Sequence, residues 1–253
     1  GVNLTNLSSS KTVLITGGGR GIGAETARYL AESGWKTAIN FIHSAETAQS
    51  LVSAIDSAGG EAKAFCADVG NESSVNNLVE QVLDVYGSID AVIHCATPPI
   101  KKMSIADTSY ELFRDYMDVY IGGGTFLMKS TVPIMKEKGR GRFVFLGSSV
   151  LLGSPPVGWS AYVTAKAALA GLVQCAAVEL GPLGITVNMV SPGLTITNLT
   201  EDVPLRIKEI EARRSPARRL ATPSDTACAI AFLLDDEAGY INGINLPITG
   251  GPL

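Results

Sequence analysis

The sequence predicts a single α/β domain, a doubly wound parallel sheet with helices on both faces. Three observations predict it. Short, β-prone apolar segments alternate with longer helical patterns along the chain. Those segments are almost continuously apolar, as strands covered on both faces are. The first of them runs straight into a cluster of glycines, ITGGGRGIGAETARYL.

The expected strands are Thr12 to Ile15, Thr37 to Phe41, Ala62 to Cys66, Ala91 to His94, Phe143 to Leu146 and Thr186 to Val190. One intervening helix is marked by Ala161, Ala165, Ala168, Leu169, Leu172 and Val173. These recur at three- and four-residue intervals until Gly181 and Pro182 stop them. At 253 residues the chain suits one large domain. Residues 1–10 are expected to form a flexible leader and 11–253 the domain. Prolines and charges interrupt the pattern around 194–223, where a substrate lid is expected.

Composition narrows the function classes. A formal charge of −4 with 17% charged residues leaves no polybasic footprint for nucleic acid. No apolar run approaches the length of a membrane span, and the first ten residues lack the pattern of a signal peptide, so a cytoplasmic protein is expected. Cys66, Cys95, Cys175 and Cys228 are too far apart for a metal cluster and too few for a disulfide framework; they read as reduced, mostly buried thiols. His43 and His94 are the only histidines, which argues against a histidine metal site or a Ser-His-Asp triad.

Glycines between a strand and a helix let the backbone turn tightly and approach a pyrophosphate, which then meets the positive end of the helix. Gly19-Arg20-Gly21-Ile22-Gly23-Ala24 satisfies the general dinucleotide pattern and Gly17-x-x-x-Gly21-x-Gly23 a variant of it. An NAD-type site wants an acid about 20 positions on, for the ribose 2′-hydroxyl. Here the second strand ends Asn40-Phe41-Ile42-His43-Ser44, with no carboxylate before Glu46. Arg20 could pair with a 2′-phosphate, so NADP(H) is favoured and NAD(H) stays open.

The stretch SAYVTAK places Tyr162 and Lys166 four positions apart, on one face of the expected helix. An ammonium about 4 Å from a phenol, at an effective dielectric of about 20, supplies roughly the 4 kcal/mol that lowers a pKa by about three units. A packed tyrosine beside a snorkelling lysine is the plain alternative.

Together these pieces resemble the short-chain dehydrogenase/reductase superfamily over nearly the whole chain, and imply its single-domain Rossmann fold. The motifs are Thr16-Gly17-x-x-x-Gly21-x-Gly23, Asp68-Val69, Tyr162-x-x-x-Lys166, Asn188-x-x-x-Pro192-Gly193-x-x-x-Thr197 and a closing Gly250-Gly251. The resemblance implies a ketoreductase, similar to 3-oxoacyl-carrier-protein reductases, or the reverse alcohol dehydrogenase. Tyr162 would exchange a proton with the substrate oxygen while hydride passes to or from a nicotinamide, and Lys166 would hold the nicotinamide ribose and depress the tyrosine pKa. Cofactor contacts are implied for Gly17, Gly19, Arg20, Gly21, Ile22 and Gly23, and for Phe41 and Ser44. Further contacts are implied for Asp68 and Val69 near the adenine, for Cys95, Ala96 and Thr97, for Tyr162 and Lys166, and for Pro192, Gly193, Thr195 and Thr197. A small or carrier-linked carbonyl compound is the implied substrate, and a homotetramer or homodimer packed through long helices the implied assembly. The enoyl reductases of the superfamily use a longer Tyr-to-Lys interval; seven residues after Tyr162 comes Leu169.

The family's serine has two candidates. Counting from the fifth strand favours Ser148, and the usual interval before the tyrosine lands on Ser149; the first is preferred because a loop absorbs an extra residue more easily than a strand does. Two departures stand out. The usual Asn-Asn-Ala-Gly after the fourth strand reads His94-Cys95-Ala96-Thr97, followed by Pro98-Pro99. In the fifth helix Tyr120 stands where the family commonly has an asparagine that holds a relay water behind the lysine. It is a candidate catalytic residue that either faces the site or packs in it, and its bulk puts reprotonation, not hydride transfer, in question. The two departures keep open a nucleotide-binding sensor or scaffold with little turnover, and an altered dehydratase or isomerase chemistry. His94 reads as a structural strand-end residue. The basic run Arg206, Lys208, Arg213, Arg214, Arg218 and Arg219 reads as a solvated helical face, with an anion site as the alternative.

Overall fold

A computed structural model describes residues 11–197 and 203–252. The expected leader, and 198–202 of the expected lid, lie outside the described residues. The elements in order are β1 (Thr12–Thr16), α1 (Gly21–Glu32), β2 (Lys36–Phe41), α2 (Ala45–Ser57), β3 (Glu61–Cys66), α3 (Glu72–Tyr86) and β4 (Ala91–His94). They continue with α4 (Tyr110–Met117), α5 (Gly123–Lys138), β5 (Gly141–Leu146), α6 (Ser160–Leu180), β6 (Ile185–Pro192), α7 (Leu205–Arg214), α8 (Pro223–Leu234) and β7 (Asn245–Ile248).

All seven strands are parallel, in the order β3-β2-β1-β4-β5-β6-β7. Side chains alternate across a strand, and both faces here are covered. Leu14 of β1 joins one core with Phe143 and Phe145 of β5 beneath α3, α4, α5 and α6. Val13 and Ile15 join the other with Val144 and Val190 beneath α1, α2 and α8. Every residue of β1 is therefore buried, which explains the continuous apolar runs.

All six expected strands are present. β7 was not among them: its sequence NLPI carries a proline, which weakens a strand signal. The irregular segment near residue 194 contains α7, which buries no residue, as a solvated face should. An isolated parallel bridge, Thr195 to Ala221, ties its two ends.

The cysteines need correction. Cys95 is buried, but Cys66, Cys175 and Cys228 are free and exposed. Cys66 falls on the outward positions of β3, an edge strand whose exposure alternates. Among the described residues one helical segment, Ser160–Leu183, has the length and apolarity of a membrane span. Its residues Ala165, Leu169 and Val173 are in the core.

Candidate active site

The strand order reverses between β1 and β4, and in such sheets ligands bind at the carboxyl ends of the strands, at that crevice. Most of the expected site residues gather there. The turn after β1 has room only for bare backbone. Gly17 has φ 60°, and a Cβ on it would lie 2.8 Å from the Ala96 backbone. A Cβ on Gly23 would lie 2.5 Å from the Gly17 carbonyl oxygen, which fixes how closely α1 approaches the turn. Gly18 N–H donates to the Asn40 carbonyl at 3.0 Å. Helix α1 starts at Gly21 with extended Arg20 before it and no side chain capping its N–H groups. Gly19, Gly21 and Ile22 thus present an open helix start that fits a pyrophosphate.

Around this turn Arg20 is exposed, Phe41 ends β2, and Ser44 precedes α2 without capping it. Thr197 lies over Gly21, 3.5 Å from where a Cβ would stand. Asp68 Oδ1 accepts from Gly70 N–H at 2.9 Å, which orders the loop after β3, and Val69 is buried. A cavity of ≈ 370 Å³ opens between Asp68, the Pro98-Pro99 loop and Tyr116 of α4. Pro192 ends β6, Gly193 N–H donates to Ile248 at 3.0 Å, and Thr195 Oγ1 donates to the Gly193 carbonyl at 2.9 Å.

Tyr162 and Lys166 leave α6 on one buried face, as their spacing requires. Of the two serines, Ser148 is close enough to the Tyr162 phenol to pull its pKa down, while Ser149 opens a short 3-10 turn. Trp159, Tyr116 and Tyr120 wall the Tyr162 ring edge-on, with centroids 5.5, 5.9 and 6.2 Å away. Lys166 Nζ donates to the Leu146 carbonyl at 2.6 Å. It lies 3.8 Å from the centre of the Tyr120 ring but 5.8 Å from that of Tyr162.

This arrangement corrects the expected acidity. Burial pushes the Tyr162 pKa up, opposed by the Ser148 hydroxyl and reinforced by Tyr116. Burial also takes the Lys166 ammonium down to about 7. In the protein alone, a lysine half-neutral at pH 7 faces another ring, so desolvation outweighs the attraction that spacing suggested.

The two departures at β4 and Tyr120 meet. Tyr120 is not in a regular helix but in a π-helical turn, Asp118–Gly122, between α4 and α5. Its hydroxyl is bonded to Thr97 Oγ1 at 2.5 Å. His94 Nε2 donates to the Val119 carbonyl of the same turn at 2.9 Å, and Nδ1 accepts from Thr16 at 2.7 Å. The tautomer follows because a carbonyl can only accept. Burial drives the His94 pKa to about 4 and the Cys95 thiol up to about 12, so both are neutral at pH 7. Tyr116 completes the joint: its hydroxyl donates to the Pro99 carbonyl at 3.0 Å and accepts from Lys101 N–H at 2.9 Å.

Sequence reasoning missed Tyr116, Trp159 and the Leu146 carbonyl. Tyr116 stands four residues before Tyr120 and Trp159 three before Tyr162, spacings that could have raised both. A main-chain carbonyl leaves no such signal.

Comparison with known proteins extends these observations. A family model described as Enoyl-(Acyl carrier protein) reductase matches residues 17–252. The chain is 34% identical over 250 residues to a (2S)-[(R)-hydroxy(phenyl)methyl]succinyl-CoA dehydrogenase subunit of Thauera aromatica, covering 96% of both. It is 32% identical over 248 residues to the 3-oxoacyl-[acyl-carrier-protein] reductase FabG of Staphylococcus aureus, covering 97% of this chain and 99% of that one. The crystal structure of a short chain dehydrogenase from Burkholderia cenocepacia in complex with NADP superposes with a TM-score of 0.87 at 33% identity, covering 96% of this chain and 97% of the other. With the glycine turn, the Tyr162/Lys166 face and the sheet order in agreement, the chain belongs to the short-chain dehydrogenase/reductase family, as a pyridine-nucleotide oxidoreductase.

Proposed function

We propose that the protein is an NADPH-dependent carbonyl reductase with Tyr162 as its general acid. The observation that carries the reading is the placement of Ser148 beside the Tyr162 phenol, next to buried Lys166, at the strand ends that flank the glycine turn. A bound nicotinamide supplies the hydride. The chain's own residues then do three things. Ser148 orients the substrate carbonyl oxygen, Tyr162 donates a proton to that oxygen, and the aromatic wall of Trp159, Tyr116 and Tyr120 excludes water. A phenol whose pKa is raised by burial keeps its proton at neutral pH, the state that reduction requires and oxidation does not.

NADP(H) over NAD(H) is supported by the open Arg20 beside the glycine turn and by Phe41, His43 and Ser44, where an acid would repel a 2′-phosphate. Asp68 and the adjoining cavity fit the adenine end. Pro192, Gly193, Thr195 and Thr197 would close on the nicotinamide end, with the segment around 194–223 as the substrate lid. The four-residue Tyr162–Lys166 interval favours ketone over enoyl reduction, and the relatives named for coenzyme A and carrier-protein thioesters make a carrier-linked ketone the first substrate class to test. Free thiols fit a reducing, cytoplasmic compartment. Val178 on α6 and Phe232 on α8 are exposed apolar side chains that helix-mediated pairing of subunits would cover.

The test is NADPH oxidation with 3-ketoacyl thioesters and simple ketones. Tyr162→Phe should lower turnover by about 10²–10⁴-fold with NADPH affinity intact by calorimetry. Retained turnover removes Tyr162 from the role. Tight NADPH binding with no oxidation by any carbonyl compound favours a binding protein instead.

A further inference from the structure

Lys166 is a basic side chain, about half charged at pH 7, in an almost closed site. It is 2% exposed, and its recorded hydrogen bond goes to the Leu146 carbonyl of β5. A lysine has three N–H donors, and burying its charge without compensation is costly. Each element packed on it contributes a facing group. From the end of β4 comes the His94 imidazole and from the residue after it the Cys95 thiol, from α6 the Tyr162 phenol, and from the π-helical turn the Tyr120 ring. Cys95, His94 and both phenols are uncharged at neutral pH. The centre of the Tyr120 ring face lies 3.8 Å from the Lys166 nitrogen, a distance at which a ring attracts a cation, against 5.8 Å for the Tyr162 ring.

That ring is held in place. Tyr120 is 1% exposed, it lies parallel to Tyr116 with 9° between their planes, and its hydroxyl is bonded to Thr97. Thr97 Oγ1 in turn donates to the Pro98 carbonyl at 3.3 Å, so Tyr120 supplies the hydrogen of the bond they share. The hydroxyl is thus turned to the β4 loop, and the ring presents its electron-rich face to the lysine.

We propose that Tyr120 is a positioning residue for Lys166: its ring face holds the buried ammonium in place, and the Thr97 hydroxyl holds the ring. The residue that replaces the family's asparagine substitutes a fixed aromatic surface for a polar group behind the lysine. The inference rests on the reading of Lys166 as a site residue, and the test separates the two.

Ionisation of Lys166 is followed by NMR in the intact protein labelled with 13Cε-lysine, without cofactor and with NADP+, its signal identified by its loss in Lys166→Met. Tyr120→Leu should move the Lys166 midpoint down by about one pH unit or more, because the ammonium loses its ring. Tyr120→Phe, which keeps the ring, should restore most of that shift. Should Tyr120→Leu not fold, phenylalanine at position 120 is compared with its trifluorinated analogue, whose ring has the same shape and a depleted face. The fluorinated ring should lower the midpoint in the same direction. An unmoved midpoint in Tyr120→Leu, or equal midpoints in the phenylalanine and trifluorophenylalanine proteins, overturns the proposal. Neither result depends on turnover, so a failure of Tyr162 as general acid leaves this measurement standing.

Discussion

The glycine turn after β1 and the cage around Lys166 flank the same crevice, yet they are built on opposite plans. At the turn, Gly17 and Gly23 bring backbone against backbone, and any added carbon collides with a carbonyl or a neighbouring Cα. Around Lys166 stand buried His94, Tyr120 and Tyr162 with Tyr116 packed against the two rings, and His94, Tyr116 and Tyr120 are hydrogen-bonded to neighbouring loops. The turn leaves main-chain donors free for a ligand. The cage uses side chains to hold a charge that water has left. An addition should therefore harm the first, and a subtraction the second.

Three substitutions sharpen that contrast, beginning with the largest expected effect. Gly23→Ala puts a methyl group on the Gly17 carbonyl, where no side chain can yield. It should weaken NADPH binding by about 3 kcal/mol, more than a hundredfold, measured by calorimetry, with the far-UV circular dichroism unchanged. A methyl group tolerated there would mean that the turn is not held by close approach.

Next, His94→Leu leaves Thr16 Oγ1 and the Val119 carbonyl without their buried partner, and should cost about 2 kcal/mol in denaturant unfolding. The same variant should change the pH response. His94 has a folded pKa of about 4 against 6.5 in the unfolded chain, so the unfolded chain takes up the proton first. The protein should lose stability as pH falls from 6.5 towards 4, and the leucine variant should lose less across that window. Parallel curves would place the acid sensitivity elsewhere. The smallest effect belongs to Thr97→Val, which removes one partly buried hydrogen bond from Tyr120 and should lower stability by about 1 kcal/mol, read from the unfolding midpoint.

The same contrast explains what was legible in the sequence. The glycine turn, the Tyr162/Lys166 face and the Pro192-Gly193 end are local patterns. Helix periodicity or strand-to-helix position is enough to place them, and the sheet follows from the alternation of apolar runs. The cage is not local. Thr97 and Tyr120 are separated by 23 positions, and each stands out only as a departure. Their bond depends on how far the π-helical turn carries Tyr120 towards β4, and a periodicity of 3.6 does not encode that displacement. The acidity of Tyr162 was misjudged for a related reason: spacing gives the proximity of two groups along one helix, whereas desolvation is set by every other element packed around them. Cys66, Cys175 and Cys228 were misplaced because small apolar residues suit an outward face as readily as a core.

β7 closes the sheet in a way that bears on self-association. Met189 N–H donates to Ile244 and Gly193 N–H to Ile248, so the even-numbered residues of this outermost strand turn their main-chain groups towards β6. Pro247 is one of the odd-numbered residues, whose main chain looks outward, and it has no hydrogen to offer there. A further strand from another molecule would meet a gap in the ladder at its centre. Copies of this chain that join should do so by laying helix on helix, and the margin beside Pro247 should resist the strand-by-strand growth that turns an open edge into fibrils.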